Sequence, residues 1–273
     1  MRGRVAAFFD LDGTLMPLPS LEQRFFRVLR YRGEIALKNY FLWLRNAMRL
    51  LPRGISAATQ ANKMYLKGVQ SFDDSDKENR SDSGGHKSGH PSRLAGSQEE
   101  GQASTPPKRN PRWPVPYFFE AGAERVAWHA RQGHAIVIVS GTLEPLAKAA
   151  ARALEVELAA RGFAATIRVC ATTLQEIEGR WTGRIVGQAM FGEAKAQAVK
   201  KVAVKMGLDL SQCWAYGDSA KDRWMLAAVG NPTAMNPTPR LARIARKRGW
   251  PGLRAAHCAR KIHPPLRHAE RCA

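Results

Sequence analysis

Cysteines and long apolar runs are both scarce in this sequence. It has only four cysteines and no CxxC pair: Cys170, Cys213, Cys258 and Cys272. Cys170 and Cys213 fall in apolar strand-like runs, where a thiol behaves as a small buried hydrophobe, so the pattern suits a reducing compartment. No run approaches the roughly 18 apolar residues of a spanning helix, and Asp10 and Asp12 interrupt the apolar stretch that a signal peptide needs. We therefore expect a cytoplasmic protein.

Acidic residues are also few. The 23 Asp and Glu stand against 43 Lys and Arg, which gives a formal net charge of +20. That charge favours association with polyanions such as nucleic acid, anionic lipid or acidic metabolites. We favour the simpler interpretation, a general preference for Arg together with solvated helix faces, and we expect no specific nucleic-acid partner because no recognised module is present. A basic polyanion- or membrane-binding protein is the alternative, and the composition implies no oligomeric state.

Large apolar residues are nearly absent between residues 71 and 112. This stretch is rich in Ser, Gly, Asp, Glu, Lys, Asn and His, and it cannot bury enough apolar surface to offset the entropy of ordering. We predict a disordered insertion over 71–112 and a basic flexible tail over 251–273. The remainder divides into a helical cap over 19–70 and an α/β core formed by 1–18 and 113–250.

The predicted cap carries apolar and basic residues at helical spacing, with breaks near Gly33 and at residues 52–54. This periodicity predicts two or three amphipathic helices. The apolar positions are Phe25, Phe26, Leu29, Ile35, Leu37, Tyr40, Phe41, Leu44, Met48 and Leu51. We interpret the stripe as the core face of a helical subdomain. A surface that lies on a membrane is the alternative.

Strand-like apolar runs alternate with helical patterns after residue 113. The run at 135–139 is continuous, which is typical of a strand buried on both faces. Further elements are predicted as helices over 146–160, 193–206, 222–228 and 240–247, strands near 167–170, 213–216 and 233–235, and a hairpin around Trp181. The alternation predicts an α/β fold with a Rossmann-like parallel sheet and helices on both faces. Ligands of such sheets bind beyond the carboxyl ends of the strands.

The first strand ends in two carboxylates. Asp10 and Asp12 are two residues apart, so a strand would project both to the same face. Like charges that close are offset by a divalent cation or by a proton held on one of them. Gly13 then permits a sharp turn, and Thr14 adds a hydroxyl at the same site. Taken alone, the motif fits an ordinary polar turn equally well, since Asp and Gly are common turn formers.

Three further polar motifs follow predicted strands or begin helices. The SGT sequence at 140–142 comes directly after a strand, where a hydroxyl and the free backbone N–H groups of a helix start suit a phosphate. Lys195 lies near the start of a helix and can bring a fixed positive charge to that anion. Asp218 and Asp222 follow the strand near 213–216 and offer two more carboxylates.

In this order, the segments DLDGTL, VIVSGT, FGEAKA and YGDSAKD resemble the four motifs of the haloacid dehalogenase superfamily of phosphohydrolases. The resemblance runs from residue 5 to about residue 250, apart from the insertion. The stretches GRWTGRIVG and NPTPRLARIARKRGWP are similar to the phosphoserine phosphatase-like branch, which has a helical cap between motifs one and two. The resemblance implies a Mg²⁺-dependent phosphomonoester phosphatase that forms an aspartyl-phosphate. The substrate would be a small organic phosphate, with phosphoserine as one candidate.

The resemblance also implies catalytic roles. Asp10 would be the nucleophile, a task for a carboxylate that is ionised at neutral pH. Asp12 would be the general acid and then the general base, and its closeness to Asp10 would raise its pKa. The phosphoryl oxygens would be bound by Ser140, the Gly141 N–H and Lys195. Mg²⁺ would be held by Asp10, the Asp12 backbone carbonyl and Asp218, with Asp222 behind them.

Substrate recognition departs from the phosphoserine phosphatase pattern. Members of that branch carry a glutamate shortly after motif one for the substrate amine and a cap arginine for its carboxylate. Here residues 16–20 contain no acid, and the first one is Glu22. Arg24 and Arg27 are both candidates for the cap arginine. Phosphotransfer to an acceptor other than water is an alternative within the same superfamily.

Overall fold

The computed structural model describes residues 4–71, 116–254 and 259–260. In this part of the chain the strands are β1 (Ala6–Phe9), β2 (Phe118–Phe119), β3 (Ala135–Leu143), β4 (Ile167–Thr172), β5 (Leu174–Ile177), β6 (Arg180–Ile185), β7 (Trp214–Gly217), β8 (Asn231–Met235), β9 (Gly252–Leu253) and β10 (Ala259–Arg260). The helices are α1 (Leu21–Tyr31), α2 (Leu37–Leu50), α3 (Ile55–Gln60), α4 (Glu120–Arg131), α5 (Glu144–Ala160), α6 (Glu193–Met206), α7 (Arg223–Leu226) and α8 (Pro239–Arg248), with 3-10 turns at Leu51–Arg53 and Met64–Leu66.

Six parallel strands form the main sheet, in the order β4-β3-β1-β7-β8-β9. The chain moves outward from β1 to β4 on one side and from β7 to β9 on the other, so the strand order reverses next to β1. The prediction of an α/β fold with a Rossmann-like parallel sheet is confirmed. Such a reversal opens a crevice at the carboxyl ends of the strands.

Both faces of the sheet are covered. Ala7 and Phe9 pack on one side with α4 and α5, whereas Ala6 and Phe8 pack on the other with α6, α7 and α8. Successive side chains of a strand point to opposite faces, so a strand buried on both sides is apolar at every position. This explains why β1 and the first half of β3 have continuous apolar sequences.

Helix α1 begins the cap with a capping box. The Ser20 hydroxyl accepts a hydrogen bond from the Gln23 N–H, and the Gln23 side chain accepts one from the Ser20 N–H. These two bonds satisfy amide groups that a helix start leaves without partners. The helix buries Phe25 and Leu29 against the main core, as the apolar stripe predicts for this part.

The apolar stripe is not a core face along α2. Leu37, Phe41 and Met48 are 80%, 74% and 68% exposed, and Leu44 and Leu51 are exposed as well. The expectation of a buried stripe is wrong here because α2 turns a different face inward. Its buried contacts are made by Asn39, whose amide group donates to the backbone carbonyls of Tyr65 and Lys67.

The predicted hairpin is present as the antiparallel pair β5 and β6. It contacts the end of the cap segment, because the backbone of Trp181 bonds with Gly68 and Val69, and Ser71 donates to the Gly179 carbonyl. Trp181 is buried against Phe25. The hairpin therefore fixes the returning end of the cap.

Several predicted boundaries differ from the observed ones. The helix predicted over 222–228 is the single turn α7. The sheet continues past residue 250, since Gly252–Leu253 pairs with β8. The predicted disordered insertion lies outside the described residues except for residue 71, and so does most of the predicted tail. None of the described helices has the length and apolar character needed to cross a bilayer.

A buried histidine links the sheet to α4. His129 is fully buried, with its Nε2 2.9 Å from the Tyr216 hydroxyl and its Nδ1 2.8 Å from Nδ1 of His134. Burial, with smaller contributions from His134 and Arg125, lowers the pKa of His129 from 6.5 to about 3. The ring is therefore neutral in the folded protein under mildly acidic conditions.

This histidine predicts acid sensitivity. Because the pKa is lower in the folded than in the unfolded chain, stability is lost as pH falls below 6.5. At pH 5 the loss is about 2 kcal/mol, from 1.36 kcal/mol per pH unit. We expect His129→Gln to reduce this loss, measured as the free energy of unfolding in urea at neutral and acidic pH. An equal acid dependence in the two proteins would contradict the assignment.

Candidate active site

Three neighbouring strands end at one cavity. Strand β1 lies between β3 and β7, and the parallel arrangement brings their carboxyl ends to the same edge. A cavity of about 690 Å³ opens there. All seven predicted site residues line it: Asp10, Asp12, Ser140, Gly141, Lys195, Asp218 and Asp222. The structure thus brings together residues that are up to 212 positions apart in the sequence (222 − 10).

A buried group of three carboxylates forms the floor of the cavity. Oxygen atoms of Asp10, Asp218 and Asp222 all lie within 4.8 Å of one another. The Lys195 ammonium, from the first turn of α6, donates to Asp10 Oδ1 and to Asp222 Oδ1, each at 2.6 Å. Three potential negative charges therefore share one positive charge in a site shielded from water.

Two glycines make room for this cluster. A Cβ at Gly13, which has φ +90°, would lie 2.5 Å from Asp218 Oδ2. One at Gly217 would lie 2.5 Å from the Asp222 Cβ. Any larger residue would displace a carboxylate. Gly13 is required because Asp218 of the fourth motif approaches it closely, and Gly217 is required because Asp222 of its own motif does.

Burial raises the pKa values of two of these carboxyls. The pKa of Asp10 rises to about 7, because burial and the neighbouring Asp222 outweigh the opposing effect of Lys195. The pKa of Asp218 rises to about 9, owing to burial and then to Asp10 and Asp222. Burial alone would lower the pKa of Lys195, but the Asp10 and Asp222 carboxylates raise it overall. The expectation of a fully ionised Asp10 at neutral pH therefore does not hold for the protein without a cation.

Asp12 is held between the core and the cap. Its Oδ1 accepts a hydrogen bond from the Leu21 N–H at 2.7 Å, and its Oδ2 accepts one from the Thr142 hydroxyl at 2.8 Å. The pKa of Asp12 is raised, as predicted, but the cause is burial, and the two hydrogen bonds oppose it. The predicted effect of Asp10 on this pKa is not the main one.

The SGT motif lies within a strand rather than at a helix start. Strand β3 continues to Leu143, and α5 begins only at Glu144. The pairing register with β4 shifts between Val139 and Leu143, which marks a bulge that re-aims side chains. The Thr142 N–H donates to the Ser140 hydroxyl. This amide is therefore already bonded, whereas the sequence analysis expected free N–H groups here. Ser140 is buried and lines the cavity.

The donor set fits a hard divalent cation. Carboxylate oxygens are the ligands that Mg²⁺ prefers in proteins, and the cluster has more carboxylates than Lys195 can neutralise. Asp222 is already engaged, since its Oδ2 accepts from the N–H and hydroxyl of Ser219 and its Oδ1 from Lys195. This suits a position behind the ligands, as predicted. The three carboxylates that could hold a cation are those of Asp10, Asp218 and Asp222, without the Asp12 side chain. A contribution from the Asp12 backbone carbonyl stays a prediction.

Comparison with known proteins finds a family match over part of the chain. The family model for haloacid dehalogenase-like hydrolases matches residues 93–227, a range that contains Ser140, Lys195, Asp218 and Asp222. This part of the chain is similar to the haloacid dehalogenase-like hydrolases. The DLDGTL segment precedes the matched range, and the fold brings Asp10 and Asp12 to the site that the matched residues form.

Relatives place it near the phosphoserine phosphatases of this superfamily. The chain is 35% identical over 133 residues to the phosphoserine phosphatase SerB1 of Mycobacterium tuberculosis, covering 49% of this chain and 40% of that protein. A Bordetella pertussis protein of unknown function has a similar structure, with TM-score 0.59, 26% identity, and 92% and 98% of the two chains covered. A phosphoserine phosphatase in a phospho-aspartyl intermediate analogue state has TM-score 0.52, 16% identity, and 93% and 95% covered. The family match and SerB1 support the predicted superfamily and branch over the matched residues, and the two solved structures support the fold.

The extent of the sequence matches is limited. The chain spans half or less of the length of the relatives that it matches in sequence, for example 40% and 50%. The Bordetella pertussis structure covers 92% of the chain. The overall fold is therefore similar over most of the chain, and the activity of the whole protein is a matter for proposal.

The cap wall of the cavity departs from what this branch predicts. Glu22 lines the cavity, but Lys63 and the Tyr65 hydroxyl both donate to its Oε1. Neither candidate arginine is among the residues that line the cavity. Arg24 instead donates to the Pro17 carbonyl and lies over the Tyr117 ring. In the described part of the chain, the cap therefore lines the cavity with Glu22, already bonded to Lys63 and Tyr65, and with both polar and aromatic side chains. The polar ones are Ser20, Gln23, Thr59 and Gln60, and the other aromatic ones are Phe26, Tyr40 and Trp43.

The sequence analysis missed two residues that bear on the site. Thr142 positions the Asp12 carboxyl, although its place in SGT pointed only to phosphate. Lys221 lines the cavity, and burial lowers its pKa. Its position between Asp218 and Asp222 was the available signal. Conversely, Thr14 is buried away from the cavity lining, so the hydroxyl expected there does not contribute.

Proposed function

We propose that this protein is a Mg²⁺-dependent phosphomonoester phosphatase that works through an aspartyl-phosphate on Asp10. The observation that carries the proposal is the buried cluster of Asp10, Asp218 and Asp222 around Lys195, with Asp12 beside it in the same cavity. Asp10 and Asp218 would hold the cation. When bound, Mg²⁺ supplies the positive charge that lets an anionic carboxylate approach an anionic phosphate.

The chain's own residues can perform both halves of the reaction. A carboxylate oxygen of Asp10 attacks phosphorus, the ester P–O bond breaks, and the protonated Asp12 carboxyl gives its proton to the leaving alkoxide. Asp12, now ionised, takes a proton from water as that water attacks the phosphorus of the aspartyl-phosphate. Inorganic phosphate leaves and Asp10 is regenerated. The raised pKa of Asp12 supports its role as the acid.

Ser140, Gly141 and Lys195 would bind the phosphoryl oxygens. All three line the cavity next to Asp10. The Lys195 ammonium is held by two carboxylates before substrate enters, so it is fixed in place and contributes by position and charge rather than by moving. The cavity is also lined by four apolar or aromatic residues, Leu18, Phe26, Tyr40 and Trp43. Such walls favour an ester whose leaving group has an apolar part over a fully polar one.

The direct test is phosphate release from a panel of phosphomonoesters. The panel should contain phosphoserine, p-nitrophenyl phosphate and alkyl or aryl phosphates, each with Mg²⁺ and with chelator. We expect Mg²⁺-dependent release, with phosphoserine a poorer substrate than the aryl esters because Glu22 is already neutralised. Absence of release from the whole panel would contradict the proposal. Phosphate transferred to an added alcohol, with none released into solution, would show that the reaction is phosphotransfer and not hydrolysis.

Proton and cation should compete at the carboxylate cluster. Because the folded pKa values of Asp10 and Asp218 are about 7 and about 9, against 3.8 in the unfolded chain, the folded protein binds extra protons from pH 4 upward. Their contribution to stability is therefore complete below about pH 4 and is lost as pH rises toward those values. We expect the Mg²⁺ dissociation constant to fall by about tenfold per pH unit for each proton displaced. Titration calorimetry across this range checks it, and pH-independent binding would contradict it.

A further inference from the structure

Helix α2 turns its apolar stripe toward solvent, whereas α1 buries its own. Leu37, Phe41, Leu44 and Met48 recur at intervals of three and four residues, so they form one stripe, and the stripe faces solvent. Leu51 and Ile55 extend it, at 56% and 73% exposure. The structure thus leaves these six apolar residues, called here the cap stripe, exposed along α2, the 3-10 turn that follows it and the start of α3 in the described part of the chain.

The inward side of α2 combines Trp43, which packs against the main core, with asparagines. Asn39 is buried and donates to two backbone carbonyls, and Asn46 donates to the buried Asn62, which in turn donates to the Trp43 carbonyl. These hydrogen bonds fix which side of the helix faces the protein. The helix could not rotate to bury its apolar stripe without leaving buried amide groups without partners, which is costly. The exposure of the stripe is therefore built into the cap.

Positive charge flanks the cap stripe. Lys38, Arg45 and Arg49 are all exposed and recur at the same helical interval one residue after the apolar positions, so they form a parallel row beside the stripe. Residues 35–71 contain six Lys and Arg and no Asp or Glu. An apolar stripe beside a basic row is the pattern of a helix that lies in the plane of an anionic membrane surface.

We propose that the cap stripe docks on the surface of an anionic lipid bilayer. Charge decides between this occupant and a second copy of the chain, because pairing two cap stripes would bring two basic rows together in a protein that already has a net charge of +20. A bilayer with anionic headgroups complements the basic row and accepts the apolar side chains. Leucine, isoleucine and methionine side chains have no corresponding place on a nucleic-acid backbone.

The docked face adjoins the cavity. Tyr40 and Trp43 are on the same helix as the cap stripe and line the cavity, and Tyr40 is 36% exposed at the border between the two. Docking would therefore bring the mouth of the cavity to the lipid surface. The docking does not depend on the proposed phosphatase activity, and each can be tested without the other.

Vesicle flotation with the full chain tests the docking. The vesicles are phosphatidylcholine alone, or phosphatidylcholine mixed with phosphatidylglycerol, at low salt and after nuclease treatment of the protein. We expect binding to the anionic vesicles only. The variants F41S/M48S and R45Q/R49Q should each bind at least about tenfold more weakly, from the lost apolar burial and from the lost charge near the surface.

Matched controls separate docking from charge or folding effects. Val204→Ser removes an 87% exposed apolar residue from α6, and R243Q/R246Q removes two exposed charges from α8; both should bind like the parent. All variants should hydrolyse p-nitrophenyl phosphate at the parental rate if that activity exists, since none of these residues lines the cavity. Failure of the parent to bind anionic vesicles overturns the proposal. So does equal weakening by R243Q/R246Q, binding unaffected by F41S/M48S, or concentration-dependent dimers that F41S/M48S abolishes without any vesicle binding.

Discussion

Replacing Asp10 with Asn should abolish phosphomonoester turnover, by roughly 10⁴-fold or more, the scale on which removal of a covalent nucleophile acts. An amide oxygen does not displace an alkoxide from phosphorus, and no other carboxylate has the same place at the end of β1. Asp218 and Asp222 lie within 4.8 Å, but Asp222 is held by Ser219 and Lys195. The measurement is the rate of phosphate release with saturating Mg²⁺.

Loss of activity in this variant should not come from loss of the fold. Asn removes a buried carboxyl whose pKa is raised to about 7, and Lys195 keeps its bond to Asp222. We therefore expect the thermal midpoint of the metal-free variant to equal or exceed that of the parent near neutral pH. Asp209→Asn is the matched control, because the Asp209 side chain accepts hydrogen bonds from nearby Ser211 on an exposed turn far from the cavity lining. Turnover within about tenfold of the parent in Asp10→Asn would exclude Asp10 as the nucleophile.

Replacing Lys195 with Met should have the largest effect on stability. Lys195 is the ammonium that the buried carboxylate group shares, with contacts of 2.6 Å to Asp10 and to Asp222. Removing one partner of a buried ion pair costs about 3–5 kcal/mol, because the remaining charge is left buried without compensation. We expect the free energy of unfolding of the metal-free protein, measured in urea near neutral pH, to fall by about 3 kcal/mol. The fall should stay at the lower end of that range because the carboxyls can bind protons and so lose their charge.

Mg²⁺ distinguishes this effect from a simple packing defect. With Lys195 gone, the carboxylates lack their competing positive charge, so the cation should bind more tightly and raise the thermal midpoint more in Lys195→Met than in the parent. Turnover should still be lost, by about 10²–10³-fold, because no fixed charge then faces the phosphoryl oxygens. Lys200→Met on the exposed side of α6 is the control and should change neither quantity. An equal Mg²⁺-induced shift in Lys195→Met and in the parent would contradict the proposed cluster.

The sequence predicted the sheet well because its signals are local. The continuous apolar run at 135–139 is typical of a strand covered on both faces, which it forms, and the helix predicted over 193–206 has the observed bounds. Capping chemistry acts within a few residues too, as the observed capping box of Ser20 and Gln23 shows. The four polar motifs at strand ends were also readable, since the carboxyl ends of parallel strands share one edge of the sheet.

The cap was harder because periodicity shows that a helix has an apolar face without showing what that face contacts. The stripe in α1 is buried and the one in α2 is exposed, although both have the same helical spacing. What separates them is the set of long-range hydrogen bonds from Asn39 and Asn62. The same limit applies to Thr142, whose bond to Asp12 spans 130 positions.

The amino-acid sequence by itself determined the α/β class, the resemblance to the haloacid dehalogenase superfamily and seven of the residues that line the cavity, because these follow from local periodicity and from short motifs of fixed chemistry. Only the tertiary structure decided the pKa values of Asp10 and Asp218, the neutralisation of Glu22 and the outward face of α2. Each of these depends on burial and on partners distant in the chain, and desolvation and long-range hydrogen bonds exist only once the elements have packed together.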